Sequence, residues 1–206
     1  MKPADTLQFE GIILRTFPYQ ERDLIVRILR RDGVKQAFLA NAARTKRFGV
    51  PLDILDQGTI SARQGRGTLM NLSAFQPRHS FPQIRTSIDR FCAAITFTEC
   101  LDFLIPEDGP ESPELFTLLE MVLCELCESV ELSAQLRALY FGIHKLIELC
   151  GYGAGEPALP STNSIMHLLQ RVEHVAERAL QSKSSLLLCM EGLRSKSQAD
   201  TDGQTK

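Results

Sequence analysis

Apolar and polar residues alternate in short runs through the first 80 residues, which is the pattern of β-strands. Five runs are separated by turn residues: 9–17, 22–30, 34–40, 52–64 and 68–75. The Arg-Asp-Gly turn that ends at Gly33 predicts a hairpin, and Gly58 predicts a bend or bulge in the fourth run. Five short strands of this kind predict a small closed barrel. Two packed sheets are the alternative, although the segment is short for a seven-stranded sandwich.

From residue 84 onward, the apolar spacing changes to that of α-helices. Ser112 and Pro113 resemble a helix start, Ser133 is a second candidate N-cap, and Gly151 is placed to end a helix. The predicted helices cover 84–105, the segment after Ser112, the segment from Ser133 to Gly151, 164–181 and 185–193. The sequence therefore predicts a two-domain α+β protein, with a barrel over residues 1–80, an all-α helical domain over 81–195 and a disordered tail over 196–206.

Charge is distributed unevenly between these two parts. The net charge is -2 over 206 residues, yet residues 1–80 have 13 basic and 7 acidic side chains, whereas residues 81–206 have 10 and 18. A basic first part favours a polyanionic partner, and chance segregation of solvated charge is the alternative.

The most basic stretch of the predicted barrel is the loop of residues 41–50. Arg44, Lys46 and Arg47 are candidates for phosphate contacts, and Phe48 is a candidate for stacking on a base. Weaker candidates extend this track: Arg66, Arg15 and Lys35. Alternatively, Phe48 closes the end of the barrel and the cations keep the loop soluble.

Motifs for covalent chemistry and for metals are weak in this sequence. Cys124 and Cys127 are spaced as C-x-x-C, but a zinc site of that type needs a second pair, so we expect buried structural thiols. The glycines of 151–155 follow a predicted helix and complete no nucleotide-binding fingerprint. We therefore expect no enzymatic activity, no metal and no cofactor.

The sequence predicts a cytoplasmic protein with reduced thiols and no membrane span. This prediction rests on the six cysteines, on the absence of an apolar leader in the first ten residues and on the absence of an apolar run of about 18 residues.

Four segments in order resemble the bacterial RecO family of recombination mediators. The segment EGIILRTFPYQERDLIV from Glu10 to Val26 is similar to the family's opening strands, and Ala43, Arg44, Lys46, Phe48 and Gly49 fit its A-x-G-A-R-x-x-K-S-R-F-G segment. GRGTLMNLSAF resembles its G-R-G-x-L turn and strand, and LIELCGY resembles its L-L-x-x-L-G-Y helix end. The resemblance extends from residue 10 to residue 152.

The resemblance implies an N-terminal OB-fold barrel, a helical C-terminal domain and a role in DNA repair without covalent catalysis. Members of this family bind and anneal single- and double-stranded DNA, and with RecR, and in some pathways RecF, they help RecA replace the single-strand binding protein SSB. They act in the cytoplasm, at the nucleoid. A protein-interaction scaffold that docks RecR or SSB and touches DNA little is the alternative.

The sequence departs from the family pattern in three places. Ala42 replaces the glycine of A-x-G-A-R, the four cysteines of the family's zinc module are missing after Gly151, and Tyr140 and Phe141 stand where an Arg-Phe pair is common. Zinc is therefore not expected. The acidic tail of SSB would need a cluster of other cations in the helical domain, for which the candidates are Arg137, Lys145, Arg171 and Arg178.

Overall fold

A computed structural model describes residues 6–65, 67–79, 81–153 and 155–190, except for the side chains of Lys46 and His79. The chain divides into two compact units, Met1–Phe81 with Ile105–Glu120, and Pro82–Leu104 with Met121–Lys206. The sequence predicts that the chain passes from the barrel to the helical domain once, near residue 80. In the structure the segment Ile105–Glu120 is grouped with the strands, although it lies far beyond them in sequence.

The first unit contains a closed five-stranded barrel, as predicted. Its strands are β1 (Thr6–Tyr19), β2 (Asp23–Arg30), β3 (Lys35–Ala40), β4 (Gln57–Arg63) and β5 (Met70–His79). They close in the order β1-β2-β3-β5-β4, and the β3–β5 pair is parallel while the others are antiparallel. This is the OB-fold arrangement that the sequence predicts.

Alternation along each strand separates an inner from an outer surface. Val26, Ile28, Phe38, Ile60 and Leu72 belong to the barrel core. The β4–β5 register shifts between Gln57 and Gly58, which confirms the bulge predicted near Gly58. The predicted start of this strand at residue 52 is wrong, because Leu55 has a φ of 72° and this left-handed backbone cannot continue a strand.

The segment Ile105–Glu120 crosses the barrel at the start of β3. The amide of Asp108 donates to the carbonyl of Lys35 at 2.8 Å, and the amide of Ser112 donates to that of Asp32 at 2.9 Å. Farther along, Gln57 Nε2 donates to Glu120 Oε1 at 2.9 Å. These contacts hold the segment on the barrel surface.

The helices are α1 (Ile88–Leu104), α2 (Pro113–Glu128), α3 (Leu132–Leu149) and α4 (Thr162–Ala176), and residues 183–190 are also helical. A 3₁₀ helix, Pro82–Thr86, occupies the predicted start of the first α-helix. Ser133 is not the N-cap of α3, because Glu131 holds that position. Gly151 ends α3 as predicted, since its amide donates to Glu148 and the amide of Tyr152 donates to Ile147.

The bounds predicted for the fourth helix, 164–181, are also corrected. Ser161 is its N-cap, and Ser164 is the N3 residue of the capping box rather than the start of the helix. The helix ends at Ala176 because Glu177 adopts a φ of 51°. Residues 177–182 therefore separate α4 from the helical residues 183–190.

The prediction of buried thiols holds for two of the cysteines, Cys92 and Cys100. Cys124 is exposed on α2, and Cys127, Cys150 and Cys189 are partly exposed. Burial raises the pKa of Cys150 to about 11. Among the helices of the described residues, none is both long enough and apolar enough to cross a membrane.

Candidate nucleic-acid interface

An open cleft of about 440 Å³ lies on the outer surface of the barrel. It is formed where the end of β1, the start of β2, the end of β3 and the chain leading into β5 come together. Its lining consists of Tyr19, Ile25, Leu39, Asn41, Gly67, Thr68, Leu69 and Asn71. In OB folds, the face of the second and third strands, with the loops beside it, is the surface that binds oligonucleotides.

Strand alternation gives the cleft an apolar floor. Ile25 and Leu39 are directly paired between β2 and β3, and their neighbours Val26 and Phe38 point into the core. Tyr19 is 42% exposed at the rim. Asn41 Nδ2 donates to Asn71 Oδ1 at 3.2 Å across the cleft. An aromatic rim, an apolar floor and two amides are suited to a planar base with polar edges.

The basic loop of residues 41–50 is fastened to the turn between β1 and β2. Asp23 Oδ1 accepts a hydrogen bond from the amide of Ala42 at 2.7 Å. The amide of Arg44 donates to the carbonyl of Arg22 at 3.0 Å, and its Nη1 donates to the carbonyl of Glu21 at 3.2 Å. Since Tyr19 ends β1 directly before this turn and lines the cleft, the exposed Arg44 is held on the same side of the barrel as the cleft.

Arg47 connects the loop to the cleft itself. Its Nη1 donates to the carbonyl of Asn41 at 2.9 Å, and Asn41 lines the cleft. A guanidinium group has several N–H donors, so this one bond leaves donors for a phosphate. Arg47 is exposed. The geometry therefore places Arg44 and Arg47 beside a cleft of suitable chemistry for a base.

Phe48 occupies a different environment from the one expected of a stacking residue. Its ring packs against the barrel core, and the Arg47 guanidinium lies 5.7 Å from the ring centroid. This arrangement favours the alternative in which Phe48 closes the barrel end. Lys46 begins the short 3₁₀ helix Lys46–Phe48, and its side chain lies outside the described residues.

The weaker candidates are dispersed. Arg15 lies on the outer surface of β1, with its guanidinium 5.0 Å from the centroid of Phe17. Lys35 is 4% exposed where the segment Ile105–Glu120 crosses β3, so a phosphate does not reach it in this conformation. Arg66 lies outside the described residues. The structure thus brings Arg44 and Arg47 to the cleft but not Lys35.

Sequence reasoning missed most of the cleft lining. Tyr19, Asn41 and Asn71 were not singled out as site residues, because the sequence does not reveal the parallel pairing that sets Asn71 beside Leu39. One signal was available: alternation placed Ile25 and Arg27 on one face of β2. That face became recognisable as the outer one only with the closure of the barrel.

The four cations predicted to bind the SSB tail lie on different parts of the helical unit. Lys145 pairs with Glu148 on α3 at 3.1 Å, and Arg171 of α4 donates to the carbonyls of Tyr152, at 2.7 Å, and Gly153. The Arg178 guanidinium lies 4.5 Å from the centroid of Phe103, and Arg137 is exposed on α3. Each of the first three therefore has its own local role.

Within the described residues, no group of three or more His, Cys, Asp or Glu side chains is arranged to hold a metal ion.

Comparison with known proteins gives a consistent result. Residues 1–81 match the family described as "Recombination protein O N terminal". The DNA repair protein RecO of Syntrophobacter fumaroxidans is 34% identical over 125 residues, which are 60% of this chain and 49% of that protein. That of Syntrophus aciditrophicus is 33% identical over 165 residues, 77% of this chain and 60% of that protein.

That of Macrococcus caseolyticus is 31% identical over 143 residues, 69% of this chain and 55% of that protein. The chain therefore spans between about half and three fifths of the length of these curated relatives.

Proposed function

Since the chain belongs to the RecO family of DNA repair proteins, we propose that its barrel binds DNA at the cleft and the basic loop, without catalysing a covalent step. The observation that carries this proposal is the placement of Arg44 and Arg47. Hydrogen bonds fix both residues beside a cleft with an aromatic rim and an amide pair.

Binding would divide into two kinds of contact. Phosphates would pair with Arg44, Lys46 and Arg47, and the release of condensed counterions would make the affinity depend steeply on salt. The cleft would take an unstacked base from a single strand. Strands held by their phosphates keep most base edges exposed, so two complementary strands bound in this way can anneal.

The role as a mediator follows from the family resemblance. We propose that the protein works at the bacterial nucleoid with RecR, in some pathways with RecF, and that it helps RecA load on strands coated with SSB. Arg137, Lys145, Arg171 and Arg178 remain the candidates for the acidic SSB tail. Their dispersion favours Arg137 and Lys145, both on α3, over a site built from all four.

Fluorescence anisotropy with a labelled single strand, titrated across salt, tests the DNA site. We expect the triple variant Arg44→Ala, Lys46→Ala, Arg47→Ala to bind more weakly to all sequences. Its slope of log affinity against log salt should fall by about 0.7 for each lost phosphate contact.

A matched control removes the same three positive charges elsewhere, through Arg85→Ala, Arg137→Ala and Lys145→Ala, all at exposed side chains. We expect this control to retain the wild-type slope. If both triple variants change the slope equally, only net charge matters and the loop is not the interface.

A scaffold function is the second candidate, and one observation favours it. Phe48 packs into the barrel, and both loop arginines donate to backbone carbonyls, so part of the predicted DNA contact set is used internally. A scaffold would bind RecR or an SSB-tail peptide tightly and show no affinity for DNA at low salt.

A further inference from the structure

Two arginines face each other on the outer surface of the barrel. Arg15 of β1 and Arg27 of β2 are direct cross-strand partners, and each guanidinium lies 5.0 Å from the centroid of the Phe17 ring. Like charges directly opposite each other destabilise a sheet. Stacking on one aromatic ring compensates in part and holds both guanidinium groups at the Phe17 ring.

A carboxylate from a distant part of the chain lies against Arg27 of this pair. Glu107 Oε1 is 2.6 Å from Arg27 Nε. Glu107 belongs to the segment Ile105–Glu120, which crosses the barrel where the Asp108 amide donates to the Lys35 carbonyl. The Glu107 side chain is 40% exposed and that of Arg27 24% exposed, so solutes reach both side chains, although the Arg27 Nε atom itself is buried.

The arginine pair continues the surface that contains the cleft. Phe17 pairs with Ile25 of the cleft floor, and Arg27 lies two residues farther along β2 on the same face. Two residues along a strand correspond to about 6–7 Å. A single strand that has a base in the cleft and runs along β2 would bring its next backbone positions close to Arg15 and Arg27.

We propose that Arg15 and Arg27 form a second phosphate site for single-stranded nucleic acid, and that the Glu107 carboxylate occupies this site until the strand displaces it. This inference rests on the proposed function of the cleft. A carboxylate and a phosphate oxygen are both acceptors for charge-assisted hydrogen bonds from a guanidinium group, so one can replace the other. The Ile105–Glu120 segment then acts as an internal competitor of the DNA backbone.

Replacing Glu107 by Gln removes the competing charge and keeps a side chain of the same size. In the anisotropy titration with a labelled oligothymidylate, Glu107→Gln should bind about threefold to tenfold more tightly at low salt than the wild type. Its salt slope should rise by about 0.7 for the added phosphate contact. Glu111→Gln is the matched control, because it removes the same charge from an exposed position of the same segment, and we expect its affinity to stay within about twofold of the wild type.

Arg27→Gln completes a double-mutant cycle. In the Glu107→Gln background it should abolish the gain in affinity and restore the wild-type salt slope. If Glu107→Gln and Glu111→Gln tighten binding equally, or if the gain survives Arg27→Gln, the second phosphate site does not exist. If Glu107→Gln lowers the melting temperature but leaves the affinity unchanged, Glu107 only fastens the segment to the barrel, and the inference is overturned.

The outcomes also separate this inference from the proposed function. Salt-dependent binding by the wild type, with no change in Glu107→Gln, overturns the second site and leaves the DNA function standing. A wild type that binds no DNA at low salt contradicts the proposed function. If Glu107→Gln also fails to bind under those conditions, both proposals are rejected, whereas binding by Glu107→Gln alone supports the competitor role.

Discussion

At the scale of single residues, the backbone conformation of Ala42 sets the direction in which the basic loop continues after β3. Its φ of 54° is left-handed, a conformation that costs an alanine about 1–2 kcal/mol. The RecO pattern that this segment resembles has glycine at this position. Ala42→Gly should therefore stabilise the protein by about 0.5–1 kcal/mol, because relief of strain exceeds the added flexibility of the unfolded chain. Urea unfolding of the two proteins measures the difference.

The adjacent residue provides the control. Ala43 is buried and is not among the residues with positive φ, so Ala43→Gly should destabilise the protein by about 1 kcal/mol. Opposite signs for the two substitutions support the strain at Ala42. A loss of stability in both variants would show that the alanine at position 42 is not strained.

At the scale of elements, Glu173 of α4 anchors the segment that leads into the helical residues 183–190. Its Oε1 accepts from the Leu180 amide at 3.0 Å, and its Oε2 accepts from Lys183 Nζ at 2.5 Å. Burial alone would raise the pKa of Glu173, but the hydrogen bonds from Lys183 and Leu180 outweigh it and hold the pKa below its ordinary value of 4.5.

A lowered folded-state pKa gives this carboxylate a pH-dependent share of stability. The share is fully present above the unfolded pKa near 4.5 and is lost as the pH falls through the lower folded pKa. Glu173→Gln should thus be clearly less stable than the wild type at pH 7, and the difference should shrink below pH 4.5. Thermal unfolding of both proteins between pH 3 and pH 7 tests this expectation.

The exposed Glu128 of α2 supplies the comparison, since we expect Glu128→Gln to track the wild type at every pH in this range. A gap between Glu173→Gln and the wild type that stays constant down to pH 3 would mean that the carboxylate's charge contributes nothing.

The elements also show how far sequence reasoning reaches. The alternation of apolar residues and the Gly33 turn were sufficient to predict five strands, and they favoured a closed barrel over two packed sheets. Arg44 and Arg47 were predicted as phosphate contacts because local charge is visible in the sequence. Helix ends were missed where several polar residues compete for one cap, as with Ser161 and Ser164. The amide pair of Asn41 and Asn71 was missed because it joins residues 30 positions apart through the β3–β5 pairing.

At the scale of the whole molecule, the chain enters the first compact unit twice. The sequence pattern assigned residues 105–120 to the helical domain, because Ser112 and Pro113 indicate the start of a helix. Their contacts are instead with the barrel, through Asp32 and Lys35. Hydrophobic periodicity reports the type of an element but not the surface that it packs against, so this grouping was not predictable from the sequence.

Residues 105–120 approach the barrel closely at Gly33. A substitution of Gly33 therefore tests whether this segment packs on the barrel. Gly33 has a φ of 82°, and a Cβ added there would lie 1.8 Å from the carbonyl oxygen of Ser112. Gly49 has a similar φ of 74°, but nothing lies within 4 Å of its added Cβ. Gly33→Ala should cost more than about 3 kcal/mol, because steric overlap adds to the backbone strain, whereas Gly49→Ala should cost about 1 kcal/mol.

Urea unfolding gives the two costs, and limited proteolysis within residues 105–112 shows whether the segment has left the barrel. We expect faster cleavage there in Gly33→Ala and wild-type cleavage in Gly49→Ala, because only the first substitution pushes against Ser112. Equal destabilisation by the two alanines, with cleavage unchanged, would mean that residues 105–120 do not pack on the barrel in solution. The Glu107 carboxylate would then have no fixed position beside Arg27, so this pair of variants also tests the geometry on which the second phosphate site depends.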